Sequence, residues 1–405
     1  GKLSEGEDRT IVNPKKLSWE RQIDLCQRCH LQGLNILKDG KKFTDFKPGM
    51  KLSEVFEIYL PKFSGKSDRF DMANHSERFQ MSQCFIQGNS ESLDFTCISC
   101  HNPHISVQMT QIDVFNSTCA KCHTNRSDCT EGELDRSEVD DNCVSCHMPK
   151  SGSVDIPHVS VHDHYIRVPN KVNEMKPKGD LTGLYAVNNA KPEEHYQIKA
   201  YLEYWEKFDK NPFFINEAEK MLEGSNEIGL LLKFHYLKEQ YEEVLNLKVD
   251  ESQLGGWELY MLGVSYARLD KRSQALFYLD KAFEKDRTSP VIGLEYLKLL
   301  VLGKNDTKTR ECASYLENEY PNNGLVMNQI AKMHLLNADL NKAQIYLKKS
   351  LKFEPDDMSV WLTHLNFYAQ KRDKEKFLYW AKKISTKDAN QLDSSEINDL
   401  LQNMS

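Results

Sequence analysis

The chain has 405 residues, a length that suits two or three domains better than one. Hydrophobic residues make up 40% of it and charged residues 28%, and the formal net charge is −7. This balance lacks the basic surface that nucleic acid requires, so we expect no nucleic-acid partner. It also contains no apolar stretch long enough to cross a bilayer, so no transmembrane segment is predicted.

Ten of the eleven cysteines lie between residues 26 and 146, and eight of these form one pattern, Cys-x-x-Cys-His. The four copies are Cys26, Cys29 and His30; Cys97, Cys100 and His101; Cys119, Cys122 and His123; and Cys143, Cys146 and His147. Two thiols at this spacing each form a thioether to a porphyrin vinyl group, and the adjacent histidine reaches the iron. A disulfide framework does not call for that histidine, and zinc sites usually pair two Cys-x-x-Cys units without it. The sequence therefore predicts four covalently attached haems c, with these four histidines as proximal iron ligands.

The remaining histidines supply candidates for the sixth position on each iron. Residues 1–170 contain nine histidines, and five of them are not proximal: His75, His104, His158, His162 and His164. This enrichment favours ligation of each iron by two histidines, which is typical of electron transfer. Competing thioether ligands are Met72, Met81, Met109 and Met148, although methionines more often fill packing gaps. Because five histidines compete for four positions, one is spare, and we predict that it is His162.

The spacing of the motifs also predicts how the N-terminal domain is built. Successive proximal histidines are separated by 71, 22 and 24 positions, which leaves little room for a polypeptide core around the last three. We expect a haem-packed domain with little regular structure, in which the first haem lies at one end of the electron path. Asp163 is expected to orient a neighbouring histidine through its second ring nitrogen. Cys84 and Cys129 form either a disulfide or two separate thiols, and Cys312 is expected to pack in a core.

The second half of the chain has a helical pattern with a period of about 34 residues, the length of one tetratricopeptide repeat. Tyr266, His334 and Tyr368 are separated by multiples of this period, as are Ala275 and Ala343. The pattern therefore predicts tetratricopeptide repeats, with a degenerate unit at 291–321 and with His334 and His364 as structural residues. We predict a mainly α protein: a tetrahaem cytochrome domain at 1–168, a linker at 169–194 and an α-solenoid of repeats at 195–405.

Several motifs resemble those of known multihaem cytochromes. The run from Cys97 to His104 resembles the superfamily that contains the tetrahaem cytochromes of ammonia oxidisers and the pentahaem nitrite reductases. More specifically, Asp45 to Gly49, Cys143 to Lys150, Asp155 to His158 and Asp163-His164 resemble bacterial multihaem c-type cytochromes fused to tetratricopeptide repeats. The resemblance implies that His104, His158 and His164 are distal ligands. It also implies that this chain is a fragment or a shortened member, because further motifs commonly precede the region equivalent to residue 1.

Three functions compete. The first is an electron carrier without a substrate of its own, whose repeats dock a redox protein such as another multihaem cytochrome. The second is an enzyme that acts on a small nitrogen or sulfur oxyanion at a five-coordinate haem, and the third is a repeat-based scaffold or redox sensor. Haem is attached after export, so we expect a bacterial periplasmic, extracellular or outer-membrane-associated protein. The start at Gly1 has neither an initiator Met nor an apolar signal core, so we expect that a signal or lipoprotein segment was removed or a longer region lost.

Overall fold

The computed structural model describes residues 11–64, 74–91, 93–125, 129–152, 160–169, 179–303, 306–388 and 401. The chain divides into two compact units, Gly1–Ser225 and Asn226–Ser405. Among the helices in the described ranges, none combines the length and apolar character needed to cross a bilayer. The mainly α fold class with a repeat solenoid is confirmed.

The N-terminal unit combines short helices with two small sheets. In chain order its elements are α1 (Trp19–His30), β1 (Leu34–Leu37), β2 (Phe56–Phe63), α2 (His75–Gln80), α3 (Gln83–Ser90), α4 (Ile112–Ala120), α5 (Glu133–Ser137), α6 (Cys143–His147), β3 (Lys150–Gly152), β4 (Ser160–His162), β5 (Leu181–Ala186), α7 (Glu194–Lys207) and α8 (Pro212–Leu222). The larger sheet is antiparallel in the order β1-β2-β5, and β3 pairs with β4 as a second sheet. Tyr59 pairs with Leu34 on one side and Ala186 on the other, and α7 covers this sheet with Tyr196 and Ala200.

The sheet changes the expected boundaries of the domains. The segment at 169–194, expected to be a linker, contains β5, and the Val187 amide donates to the Ile58 carbonyl at 2.8 Å. Helix α7, expected to open the solenoid, is also joined to the sheet, because the Tyr201 hydroxyl accepts from the Leu184 amide at 3.1 Å. The predicted divisions at 168 and 194 therefore differ from the observed division after Ser225. The glycines and prolines of 169–194 suggest a linker, but the segment contains a strand, with Gly183 inside it, that completes a sheet begun far earlier in the chain.

One stretch of the N-terminal unit has no core of its own. Between residues 97 and 150, no side chain in the described part of the chain is fully buried, and Cys97, Cys100 and Cys119 are only partly buried. Large apolar side chains are instead exposed there, including Met109 at 78% and Leu134 at 83%. Globular domains normally bury such groups, because burial of apolar side chains is the main source of their stability. The polypeptide of this stretch lacks that contribution.

The C-terminal unit consists of helices in antiparallel pairs. It begins with α9 (Ile228–Leu237) and α10 (Tyr241–Asn246), followed by four longer pairs: α11 (Gly256–Arg268) and α12 (Arg272–Lys285), α13 (Pro290–Gly303) and α14 (Asp306–Glu319), α15 (Gly324–Leu336) and α16 (Leu340–Phe353), and α17 (Met358–Gln370) and α18 (Lys374–Lys387). The first helices of these pairs begin at 256, 290, 324 and 358, and the second helices at 272, 306, 340 and 374. Both series advance by the same interval from one pair to the next, which confirms the period seen in the sequence.

Buried side chains repeat with the same period. Three positions of the second helices are buried in every pair: Ala275, Thr309, Ala343 and Phe377; Leu279, Ala313, Leu347 and Ala381; and Ala282, Leu316, Ser350 and Ile384. A Cβ atom on Gly263 would lie 2.7 Å from the Cγ of Leu279, so the first and second helices approach closely there. The unit at 291–321, expected to be degenerate, is a complete helix pair. The residues at its repeat positions differ from those of the other units, but they are buried at the same positions.

His364 occupies a recurring buried position of the first helices, on α17. In the other three repeats the equivalent residues are the buried Leu262, Tyr296 and Ile330. Its ring is buried and stacks on Trp380, with the two ring centroids 4.5 Å apart. Burial lowers the pKa of His364 from 6.5 to about 4. His364 is therefore a neutral core side chain, as its place in the repeat predicts.

Replacing His364 with Leu is expected to stabilise the protein and to remove part of its acid sensitivity. The unfolded side chain titrates near its ordinary pKa of 6.5, so it binds more protons than the native one as the pH falls from 6.5 towards 4. Stability is therefore lost over that window, by up to about 3 kcal/mol for this group. Urea unfolding followed by far-ultraviolet circular dichroism at both ends of the window measures the difference. Ile330→Leu is the matched control, and equal acid sensitivity of His364→Leu and the wild type would contradict this assignment.

Candidate functional site

Each Cys-x-x-Cys-His motif forms a helical turn. The first motif is the last turn of α1, and the fourth is α6 itself. In the second and third motifs the histidine amide donates to the carbonyl of the first cysteine, at 2.9 Å from His101 to Cys97 and 3.0 Å from His123 to Cys119. Residues three and four apart lie on the same face of a helical turn. Both thiols and the imidazole of each motif therefore share one face, as attachment of a haem requires.

The motifs lie next to one another in chain order. A hydrogen bond between Cys26 and Cys97 lowers the pKa of Cys26 and, with burial, raises that of Cys97. Burial raises the pKa of Cys100 to about 11, and the nearby Cys119 adds to the effect. Burial raises the pKa of Cys119, and the nearby Cys143 of the fourth motif adds to the effect. The four attachment sites therefore form a continuous series from the first motif to the fourth.

Four imidazoles gather beside the first two motifs. The ring centroids of His30 and His75 are 5.8 Å apart, those of His75 and His164 are 4.5 Å apart, and those of His101 and His164 are 6.1 Å apart. The cluster combines two predicted proximal ligands with two of the predicted distal ones. Burial, with a smaller contribution from His75, lowers the pKa of His164 to about 4. Its imidazole is therefore neutral near pH 7, the form that binds a metal.

Backbone carbonyls fix the orientation of three histidines. The Nδ1 atom of His147 lies 2.9 Å from the Arg167 carbonyl, that of His164 lies 3.0 Å from the His162 carbonyl, and that of His162 lies 2.7 Å from the Met148 carbonyl. A carbonyl oxygen only accepts hydrogen bonds, so Nδ1 carries the proton in each case. The Nε2 lone pair is then available to an iron, which is the usual outer-shell arrangement of ligating histidines. His162, predicted to be spare, shares this orientation with His147 and His164.

The other predicted ligands are placed differently. His104 is exposed, with its amide bonded to the Asn102 side chain, and the structure does not bring it to the imidazole cluster. His123 is exposed as well. His158 and Met72 lie outside the described residues. Met81 and Met109 are exposed at 36% and 78%, respectively.

Asp163 does not orient a histidine, contrary to expectation. It accepts two hydrogen bonds from Arg78, at 2.8 and 2.6 Å, and one from Arg167 at 2.8 Å. Burial raises its pKa, but the hydrogen bonds from Arg78, Tyr165 and Arg167 outweigh this effect, so the pKa lies below its ordinary value. The sequence does not reveal this ion pair, because Arg78 and Asp163 are far apart in the chain.

The remaining cysteines are thiols rather than disulfide partners. All eleven cysteines are free, including Cys84 and Cys129, so the two do not form a disulfide. Burial raises the pKa of the Cys84 thiol, which lies near Cys122 of the third motif. Cys312 is buried in the second unit, where burial raises its pKa to about 12, as expected for core packing.

A cavity of about 230 Å³ adjoins the first two motifs, and it is smaller than the roughly 300 Å³ at the low end of small-molecule sites. Its lining includes Cys26, Cys29, His30 and Cys97. Across the described ranges, no group of three or more His, Cys, Asp or Glu side chains is arranged to hold a bare metal ion. A haem iron needs only two protein ligands, because the porphyrin supplies the other four. The helical thiol pairs and carbonyl-bonded imidazoles therefore fit haem better than a free ion.

No known family model and no curated protein matches this chain. Among solved structures, it is similar to a tetratricopeptide repeat protein from Parabacteroides merdae, at 17% identity and a TM-score of 0.38 over 52% of this chain and 92% of the other. It is also similar to YrrB, a tetratricopeptide repeat protein with an unusual peptide-binding site, at 16% identity and a TM-score of 0.27 over 41% and 81% of the two chains. The complex of the TPR2AB domain of yeast Sti1 with pHSP90 gives 14% identity and a TM-score of 0.24 over 52% and 92%. These similarities are low, and the repeat assignment rests on the internal period of the helix pairs.

Removing one member of the Arg78–Asp163 pair is expected to destabilise the N-terminal unit strongly. Asp163→Ala removes the carboxylate that accepts two hydrogen bonds from the buried Arg78, at a cost of about 3–5 kcal/mol. The double variant Arg78→Met with Asp163→Leu removes both charges and is expected to lose less. Urea unfolding measures the free energies, and Glu217→Gln, which breaks the exposed pair with Lys220, is the control with little expected loss of stability. Equal losses in Asp163→Ala and the control would contradict this role.

Proposed function

We propose that this chain is an electron-transfer protein that holds four c-type haems on its N-terminal unit and docks a protein partner through its repeats. The observation that carries the proposal is the stretch from 97 to 150, which holds three of the four motifs and fully buries none of its described side chains. Flat apolar groups attached to those motifs would cover side chains such as Met109 and Leu134. Haem, when bound, supplies one-electron transfer between ferric and ferrous iron.

The chain's own residues support this proposal through the orientation of their donor atoms. Each motif directs two thiols and an imidazole to one face of a helical turn, and carbonyl bonds hold His147 and His164 with Nε2 free of protons. The abundance of histidines favours saturated irons over an open site for a substrate. Cys26 lies next to Cys97, and Cys119 lies near Cys143. This closeness of successive motifs favours closely packed porphyrins along which electrons pass. Because haem is attached after export, we place the protein in the periplasm or on the cell surface.

The repeats offer a surface for a partner. Trp257, Val291 and Leu325 each stand immediately after the first residue of the first helix of a repeat, and they are exposed at 48%, 46% and 37%. Because they recur with the period of the repeats, they are aligned along one side of the solenoid. Exposed apolar patches of this kind mark sites of protein association.

The haem-carrying role is tested by removing single motifs. We expect Cys119→Ala with Cys122→Ala to lose one of the four haems per chain, since both thioether bonds of that motif are absent. The pyridine haemochrome absorbance per chain, after expression with the haem-attachment machinery, gives the count. Cys129→Ala, outside the motifs and exposed, is expected to keep all four. A wild-type chain purified without covalent haem would refute the proposal.

A protein-docking scaffold built on the repeats is the second candidate, and the four complete repeats favour it.

If docking serves electron transfer, a chain ending at Ser225 is reduced more slowly by the electron donors in a periplasmic extract than the full chain is. Trp257→Glu in the full chain is expected to slow reduction about tenfold, the effect of losing one good anchor of about 1.4 kcal/mol. Stopped-flow absorbance measures the rates, and Leu378→Glu, on an exposed site of α18, is the control. Equal reduction rates for the full chain, the shortened chain and Trp257→Glu would show that the repeats do not dock the electron donor.

A further inference from the structure

We propose that the exposed face of α16 and α18, the second helices of the last two repeats, binds a bilayer that contains anionic phospholipids. This lysine face consists of Lys342, Ile345 and Lys348 on α16 and of their equivalents Lys376, Tyr379 and Lys382 on α18. Binding at the lysine face does not depend on the haems. It also leaves the proposed docking side free, because Trp257, Val291 and Leu325 stand on first helices.

The lysine face stands on two helices with a large excess of positive charge. Helices α16 and α18 contain nine lysines, no arginine and a single acidic residue, Glu375. Nine positive charges against one negative charge give these helices a net charge of +8, whereas the whole chain carries −7. The second helices of the first two repeats, α12 and α14, are balanced, with five basic and six acidic residues. Positive charge is therefore concentrated at one end of the row of repeats.

The repeat aligns these charges on one surface. Helix α16 begins at 340 and α18 at 374, so Lys342 and Lys376 are equivalent, as are Lys348 and Lys382. All four lysines are exposed. On α16 they lie on the opposite side from Leu347, which is buried in the core. The lysines of the two helices therefore face the solvent together.

Acidic side chains of the repeats do not neutralise the lysine face. Between the second helices of the first two repeats, Lys308 pairs with Asp280 at 2.6 Å. Because α16 and α18 have one acidic residue for nine lysines, they cannot repeat such pairs along their length. Within the described ranges, neither Lys348 nor Lys382 forms an ion pair. Their charges are therefore available to an external anionic surface.

Apolar side chains between the lysines favour a bilayer over an acidic protein. Ile345 and Tyr379 occupy equivalent positions and are exposed at 55% and 61%. Apolar groups flanked by lysines are typical of helices that lie in a membrane interface, where the lysine ammonium groups reach the lipid phosphates. Protein interfaces are instead depleted in lysine and enriched in arginine, which both helices lack. The equivalent position in the second repeat is the exposed Glu311, so the face does not extend to that repeat.

The test is sedimentation of the full chain with phospholipid vesicles. We expect binding to vesicles of phosphatidylcholine mixed with phosphatidylglycerol, and none to phosphatidylcholine alone. Added salt is expected to weaken the binding, because it screens the lysine charges. The chain as a whole is negatively charged, so attraction to anionic vesicles requires a local positive face.

Variants assign the binding to the lysine face. Lys348→Gln with Lys382→Gln is expected to weaken it roughly thirtyfold, because each lysine near an anionic surface contributes about fivefold in affinity. Ile345→Ser with Tyr379→Ser is expected to weaken it as well, through the loss of apolar contact with the bilayer. The matched control, Lys271→Gln with Lys308→Gln, removes the same charge from the first two repeats and is expected to bind like the wild type. Far-ultraviolet circular dichroism verifies that all variants keep the helical content of the wild type.

Three results would overturn the proposal. The first is a wild-type chain that does not sediment with the phosphatidylglycerol vesicles. The second is equal binding by the Lys348 and Lys382 double variant and by the control. The third is binding of the lysine face to immobilised polyglutamate but not to vesicles, which would assign the face to an acidic protein.

Discussion

The structure of the N-terminal unit depends on one constraint: the stretch from 97 to 150 carries three thiol pairs but no fully buried side chain in its described part. Hydrophobic burial is the main favourable contribution to folding, so this stretch needs apolar surface from another source. The same constraint explains the local structure. Its helices are short, and each of its motifs folds as a separate turn with Cys97, Cys119 or Cys143 at its start. Covalent haem would satisfy the constraint and supply the redox chemistry together.

The ordered part of the same unit serves as a frame for this stretch. The β1-β2-β5 sheet has its own core under α7, and α2 and α3 pack against Trp19 and Ile23 in the first half of α1. Arg78 and Asp163 then join α2 to the segment that follows β4. Three histidines of the cluster, His30, His75 and His164, therefore stand on segments that are fixed by ordinary packing and by a buried ion pair, whereas His101 belongs to the stretch itself. The repeats of the second unit need no added apolar surface, because each of the four longer helix pairs buries its own recurring set of three side chains.

Prediction from the sequence was most successful where a pattern is local or periodic. The four motifs and the period of the repeats can be read directly, and the structure shows four equal helix pairs. Prediction failed where contacts join distant segments: β5 completes a sheet begun by Leu34, and Asp163 binds Arg78 rather than a neighbouring histidine. Composition suggested a linker at 169–194 because the segment contains several glycines and prolines. Its strand β5 is recognisable only from its pairing with β2. The closeness of His75 to His30 and His164 is likewise a tertiary property, which spacing along the chain does not encode.

The most direct test of this account is amide hydrogen exchange on the full chain, produced with and without covalent haem attachment. If haem provides the missing core, amides at 97–150 are protected only in the haem-bearing chain, whereas the helices of 256–387 are equally protected in both. Equal protection of 97–150 with and without haem would show that the polypeptide folds there by itself, and it would contradict the account.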